Sequence, residues 1–295
     1  MTKKIDKILA VINHKDDGEI VIQKAMILAK ANNASIQVVK IIYEGFVDLS
    51  VHDVEQSQSL KSYLMQAEEA FLVDLIDPVL SQGVDIGSSV LWNKYQHQGI
   101  LDAAAEYDAD LIVKPTNHPL TEIVRTPEDW NLLRHADLPV MLVKPIAWKQ
   151  EPVVVAAVDV QDDNHHELSV RILLTAKAIS LNLGGILKVI NAFPSVRHWV
   201  GPITVAIDFD KVRQRVRAEI EHLLLKLAEQ CDVNAESVHA DEGGTAVVIE
   251  SMVKQTQAEI LVVGTSQRSG AKGIVLGNTS ETILHQVNCD VLVLR

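Results

Sequence analysis

Short apolar runs rich in Val, Ile and Leu alternate along this chain with longer amphipathic segments, and the alternation recurs in both halves. In the second half the runs fall at roughly 153–158, 185–191, 235–239, 259–264 and 290–294, and the amphipathic segments at about 165–181, 208–231, 244–256 and 278–287. Unbroken apolar runs of this length suit strands buried on both faces, and the intervening segments suit crossover helices between parallel strands. The stretch KVRQRVRAEIEHLLLKLAEQ shows the helical period most plainly. Val212, Val216, Ile220, Leu223, Leu224 and Leu227 fall on one stripe of it.

The pattern is written twice. ADLIVKPT (109–116) lines up with AEILVVGT (258–265), PVMLVK (139–144) with DVLVLR (290–295), ILAVINHKDDG (8–18) with VVAAVDVQDDN (154–164), and ASIQVVKII (34–42) with GGILKVINA (184–192). The expected fold is therefore α/β, with two tandem doubly wound (Rossmann-like) domains related by a pseudo-twofold. Each would be a five-stranded parallel sheet of order 3-2-1-4-5. The expected domains are 1–148 and 151–295, joined near PIAWKQEP (145–152). The terminal strands VMLV and VLVL are apolar edges, so an intramolecular pseudo-dimer that pairs them is expected, with homo-oligomerisation as a further possibility.

In such a sheet the winding reverses between the first and fourth strands, where ligands bind at the carboxyl ends. That rule brings Asp159 and Gly264 to one crevice. The segment LVVGTSQRSGAKGIVLGNTSETIL (261–284) starts there and carries unusual backbone freedom. Taken alone it reads as a connecting loop. Placed at the switch point it reads as a phosphate cradle, since glycines and a helix N-terminus present N–H donors to an anion.

These residues resemble the universal stress protein family, in its tandem two-copy form, over nearly the whole chain. The most specific stretches are TPEDWNLLRHADLPVMLVK and LGNTSETILHQVNCDVLVLR. Nucleotide-binding members carry an aspartate ending the first strand and Gly-x2-Gly-x9-Gly-Ser/Thr after the fourth. The resemblance implies ATP or another adenine nucleotide, with magnesium as a possible companion, held by Asp159, the backbone of Val189, Val263, Gly264, Gly277, Asn278 and Thr279. Gln267 stands where the second glycine is expected, and Asn278 replaces the usual hydroxyl residue. The first half departs further, with Asn13 for Asp159, Pro115 for Gly264, and Thr126 and Pro127 for Gly277 and Asn278. It is expected not to bind nucleotide in the family manner; Lys114 could still attract an anion there, and the preferred reading is a solvated lysine at a strand end. The implied role is a stress-resistance binding or sensor module; the alternatives are a weak ATPase, or a carrier of an apolar small molecule beneath residues 195–209. The comparable segment of the first half is YEGFVDLSVHDV (43–54).

Composition narrows the partners. The 295 residues are 47% hydrophobic and 22% charged, with a formal net charge of -12, which disfavours a general nucleic-acid or membrane-surface binder. The apolar run in MTKKIDKILAVINHKDD is too short for a secretory or spanning segment, so a cytoplasmic location is expected. Cys231 and Cys289 lack a C-x-x-C context and read as buried or half-buried thiols. His165 and His166, near Asp162 and Asp163, read as a solvated helix start, because adjacent residues do not share a helix face for a metal. No G-x-S-x-G, H-E-x-x-H or complete Walker lysine motif is present, so no catalytic residue is nominated.

Overall fold

The computed structural model describes residues 4–49, 54–116, 127–195, 208–265, 282–284 and 286–295. The chain divides into two compact units, the first ending at Ala147 and the second running from Trp148 to Arg295. The first contains β1 (Lys7–Val11), α1 (Lys15–Asn32), β2 (Ser35–Ile42), α2 (Gly45–Leu49), α3 (Val54–Leu80), β3 (Ile86–Trp92), α4 (Gln96–Tyr107), β4 (Leu111–Pro115), α5 (Pro127–His135) and β5 (Val140–Val143). The second contains β6 (Val153–Ala157), α6 (His166–Asn182), β7 (Ile186–Phe193), α7 (Phe209–Gln230), β8 (Val238–Glu242), α8 (Thr245–Thr256), β9 (Ile260–Gly264) and β10 (Asp290–Leu294).

Each unit is a doubly wound parallel sheet. The first has the order β3-β2-β1-β4-β5 and the second β8-β7-β6-β9-β10. Even the register repeats, since Ile8 faces Leu111 across β1 and β4 while Val154 faces Ile260 across β6 and β9. The apolar runs are continuous because helices cover both faces of these strands. Ile8, Leu9, Ala10, Val11, Val154, Val155 and Ala156 have no solvent exposure.

A carboxylate at the amino end of the fourth strand fastens the first strand in both units. Asp110 Oδ2 accepts the N–H groups of Asp6 at 2.9 Å and Lys7 at 3.0 Å. Glu259 Oε2 accepts the N–H of Val153 at 2.8 Å, and its Oε1 lies 2.8 Å from Lys149 Nζ. Trp148 Nε1 donates to Asp290 Oδ2 at 2.8 Å, so the entry to the second unit is held at the end of the sheet opposite Asp159 and Gly264.

One local expectation changes. The third strand of the second unit begins at Val238 rather than 235, because Asn234 Oδ1 accepts the Glu236 N–H at 3.0 Å and caps a 3-10 turn over Ala235–Ser237. In the first unit, part of the 43–54 segment is the short helix α2, whose Val47 is buried and whose Val47 carbonyl accepts from Ser57 Oγ of α3 at 2.6 Å. Most of the 195–209 segment, residues 196–207, lies outside the described residues.

Candidate functional site

In the second unit β6 stops at Ala157, level with Ile190 of β7, and the Val158 N–H donates to the Ile190 carbonyl at 3.0 Å. One step back along the sheet, Ala156 lies between Val189 and Val262. Val189 is thus a buried mid-strand residue that also faces Val238, and Val263 and Gly264 close β9 at the same end of the sheet as Asp159.

The Asp159 main chain is pinned to α6. Its N–H donates to Ser169 Oγ at 3.1 Å, and the Ser169 hydroxyl donates to the Asp159 carbonyl at 2.8 Å. The side chain is 44% exposed; its Oδ1 accepts the Gln161 N–H at 3.0 Å and its Oδ2 lies 2.7 Å from His165 Nδ1. His165 is therefore not simply solvated at a helix start, since it holds the carboxylate that sequence comparison marks. Asp162 accepts both the main-chain and side-chain N–H groups of Asn164, which hold its carboxyl below the usual carboxylate range.

Asn191, which the sequence reading passed over, lies one residue beyond Ile190 on β7. Its Nδ2 donates to the Val158 carbonyl at 2.9 Å, while its Oδ1 is buried with no hydrogen-bond partner. A buried acceptor left unmade is costly, and here it borders the switch point.

Gly264 has a packing explanation. A Cβ at this position would stand 2.6 Å from Leu168 Cδ2, 2.8 Å from Leu168 Cγ and 2.9 Å from Ile172 Cδ1. A side chain here would have to displace the Leu168 and Ile172 side chains of α6. Gln267, Gly277, Asn278 and Thr279 lie outside the described residues.

The same place in the first unit is built differently. Asn13 Oδ1 accepts from Gln96 Nε2 at 2.9 Å. The next residue of α4, His97, gives its main-chain N–H to Glu128 Oε2 at 3.1 Å and presents Nδ1 to the same oxygen at 3.0 Å. Lys114 is not solvated. It is completely buried, with Nζ 2.6 Å from Asp129 Oδ1 and 3.1 Å from the Pro115 carbonyl, because an unpaired ammonium could not remain in that interior. Asp17, in the first turn of α1, has its carboxyl pushed up by burial, against the opposing pull of His14 and Lys114.

The second unit has shorter side chains at the matching positions. Helices α4 and α8 are both twelve residues long, and their first two residues are Gln96 and His97 in one and Thr245 and Ala246 in the other. Gly243 and Gly244 precede α8, and a Cβ on Gly244 would meet nothing within 4 Å.

Elsewhere, a groove of about 310 Å³ between α7 and β8 is lined by Arg217, Glu221, Leu225, Val238, His239, Ala240 and Asp241. Arg217 already donates to the Ala240 carbonyl at 2.8 Å. His239 Nε2 is buried without a partner, and burial, helped by Lys188, lowers its pKa. Cys231 and Cys289 are both buried, and burial pushes the Cys231 thiol up. Among the described residues there is no cluster of three metal-ligating side chains and no helix long and apolar enough to cross a membrane.

The universal stress protein family model matches residues 4–144 and again 154–295. Universal stress protein E of Photorhabdus laumondii is 25% identical, over 98% of this chain and 94% of its own length. A universal stress protein E homolog from Haemophilus influenzae is 24% identical, over 99% of this chain and 98% of its own. A solved Pseudomonas aeruginosa structure assigned to the same family superposes with a TM-score of 0.76 at 25% identity, covering 98% of this chain and 93% of that one.

Proposed function

Because the chain belongs to the universal stress protein family, in a tandem two-copy form, we propose that this stress-response protein is a cytoplasmic binding module holding one adenine nucleotide, such as ATP, in its second unit. The carrying observation is the contrast between the crevices. In the first unit Gln96 and His97 reach across it to Asn13 and Glu128. In the second unit Thr245 and Ala246 lack the side chains that make the Gln96 and His97 ring contacts, and Asp159 is 44% exposed.

The residues fit the sugar and base end of a nucleotide better than its phosphates. Asp159, Asp162 and Asp163 make the β6 end acidic, which favours hydroxyl and amine donors over anions. Asp159 would accept from such donors, and the orphaned Asn191 Oδ1 is a further buried acceptor nearby. The phosphates would depend on Gln267, Gly277, Asn278 and Thr279, with magnesium supplying charge neutralisation if it accompanies them. Binding rather than turnover is the reading proposed, with His165 holding the Asp159 carboxylate in place.

Calorimetry with ATP on the protein and on Asp159→Ala tests this. One lost charge-assisted hydrogen bond is worth about 1.5–3 kcal/mol, so affinity should fall at least tenfold. Absence of measurable ATP binding to the unaltered protein, with no nucleotide found by mass spectrometry of the purified protein, would end the proposal.

A further inference from the structure

We infer that the first unit is a self-liganded copy of the crevice, in which the chain's own carboxylates take the place of a bound anion: Asp129 on Lys114 and Glu128 on His97. Both carboxylates stand in the first turn of α5, which begins at Pro127, where free N–H groups and the helix dipole favour negative charge. Their partners come from separate elements. Lys114, next to last in β4, has no solvent exposure and lies 2.6 Å from Asp129 Oδ1, while His97, second in α4, reaches Glu128 Oε2 through both its main-chain N–H and its ring. Gln96, beside His97, continues the connection to Asn13 beyond β1. Since β1 and β4 are neighbouring strands, this polar chain crosses the switch point where a ligand of this fold is received.

The arrangement explains the losses in the first half as one change rather than several. Pro115 has no N–H for an anion, and its carbonyl instead accepts from Lys114. A buried ammonium needs an anion, and Asp129 delivers it without a diffusible ligand. The second unit has Val263 and Gly264 at the corresponding strand end and therefore has no such internal pair. Removing the Asp129 carboxylate should expose a site for an anion of its own size, a small carboxylate. This inference does not depend on nucleotide binding in the second unit.

Thermal unfolding of the full chain in sodium formate and in sodium chloride, at equal ionic strength, tests it. The unaltered protein should melt alike in both salts. Asp129→Ala should melt about 10 °C lower in chloride, as expected for a broken buried pair, and recover most of that loss in formate. The Lys114→Met/Asp129→Ala double variant should show no formate response. If Asp129→Ala does not fold in chloride, the yield of soluble protein refolded in each salt gives the same reading. Equal melting, or equal yield, of Asp129→Ala in the two salts overturns the inference, as does a formate response that persists without Lys114.

Discussion

A Cβ on Gly264 would come within 2.6 Å of Leu168 Cδ2, so the residue that resemblance assigns to a nucleotide also leaves room for the α6 side chains packed on it. The two roles separate experimentally. Gly264→Ala should destabilise by about 1–3 kcal/mol through overpacking, and Leu168→Ala on top of it should cost less than the sum of the two single changes. Chemical denaturation of the four proteins in the cycle measures this coupling. Simple additivity would show that Leu168 is not what requires glycine there.

The proposed difference between the units sets a stoichiometry. Titration with ATP should saturate at one equivalent per chain, and Asp159→Ala should remove that equivalent. Two equivalents would show that the bridge from Gln96 and His97 does not close the first crevice.

If the 261–284 segment cradles phosphate, Gln267 is its chief obstacle, because a side chain stands where the family pattern has hydrogen. Gln267→Gly should then tighten ATP binding, and Gly277→Val should weaken it, each by about tenfold or more. Equal affinities across the three proteins would return the segment to a plain connecting loop.

His239 should give the second unit an acid sensitivity. Its pKa is lowered from the ordinary 6.5 by burial and by Lys188, with Asp241 opposing. The folded state therefore holds it neutral. Above pH 6.5 both states are neutral and it adds no pH dependence; below, the unfolded chain protonates first and stability falls until the folded pKa is passed. His239→Leu should flatten the stability profile from about pH 6.5 downward and should not be costly at pH 8, since the buried Nε2 has no partner to lose. An unchanged acid slope in the variant would remove His239 as its source.

The carboxylate clamps predict unequal losses. Asp110→Ala orphans the N–H groups of Asp6 and Lys7, whereas Glu259→Ala orphans that of Val153 and releases the more exposed Lys149. Each should destabilise by about 1–3 kcal/mol, the former more, read as a shift in denaturant midpoint at unchanged slope. A neutral Asp110→Ala would show that water replaces its bonds.

Strand and helix positions, the duplication and the family were legible in the sequence because they rest on periodicity and local repetition. A strand buried on both faces must be apolar along its length, and Val153–Ala157 and Ile260–Gly264 announce themselves. The sheet order followed from the same repeat, and it brought Asp159 and Gly264 to one end of the second sheet. Local capping already escaped this reading, as at Asn234, where a side-chain bond to Glu236 delays the strand. Only tertiary structure decided what the polar residues do. Lys114 and Asp129 are far enough apart in sequence that no pattern pairs them, and a strand-end lysine looks solvated until α5 covers it. Ser169, His165, Asn191, Gln96 and His97 gain their roles from neighbours brought close by folding, and Gly264 from a helix whose approach distance no one-dimensional pattern contains. Hydrophobic burial is a property of each residue in its periodic context, whereas a hydrogen bond or an ion pair is a property of two residues and the distance between them.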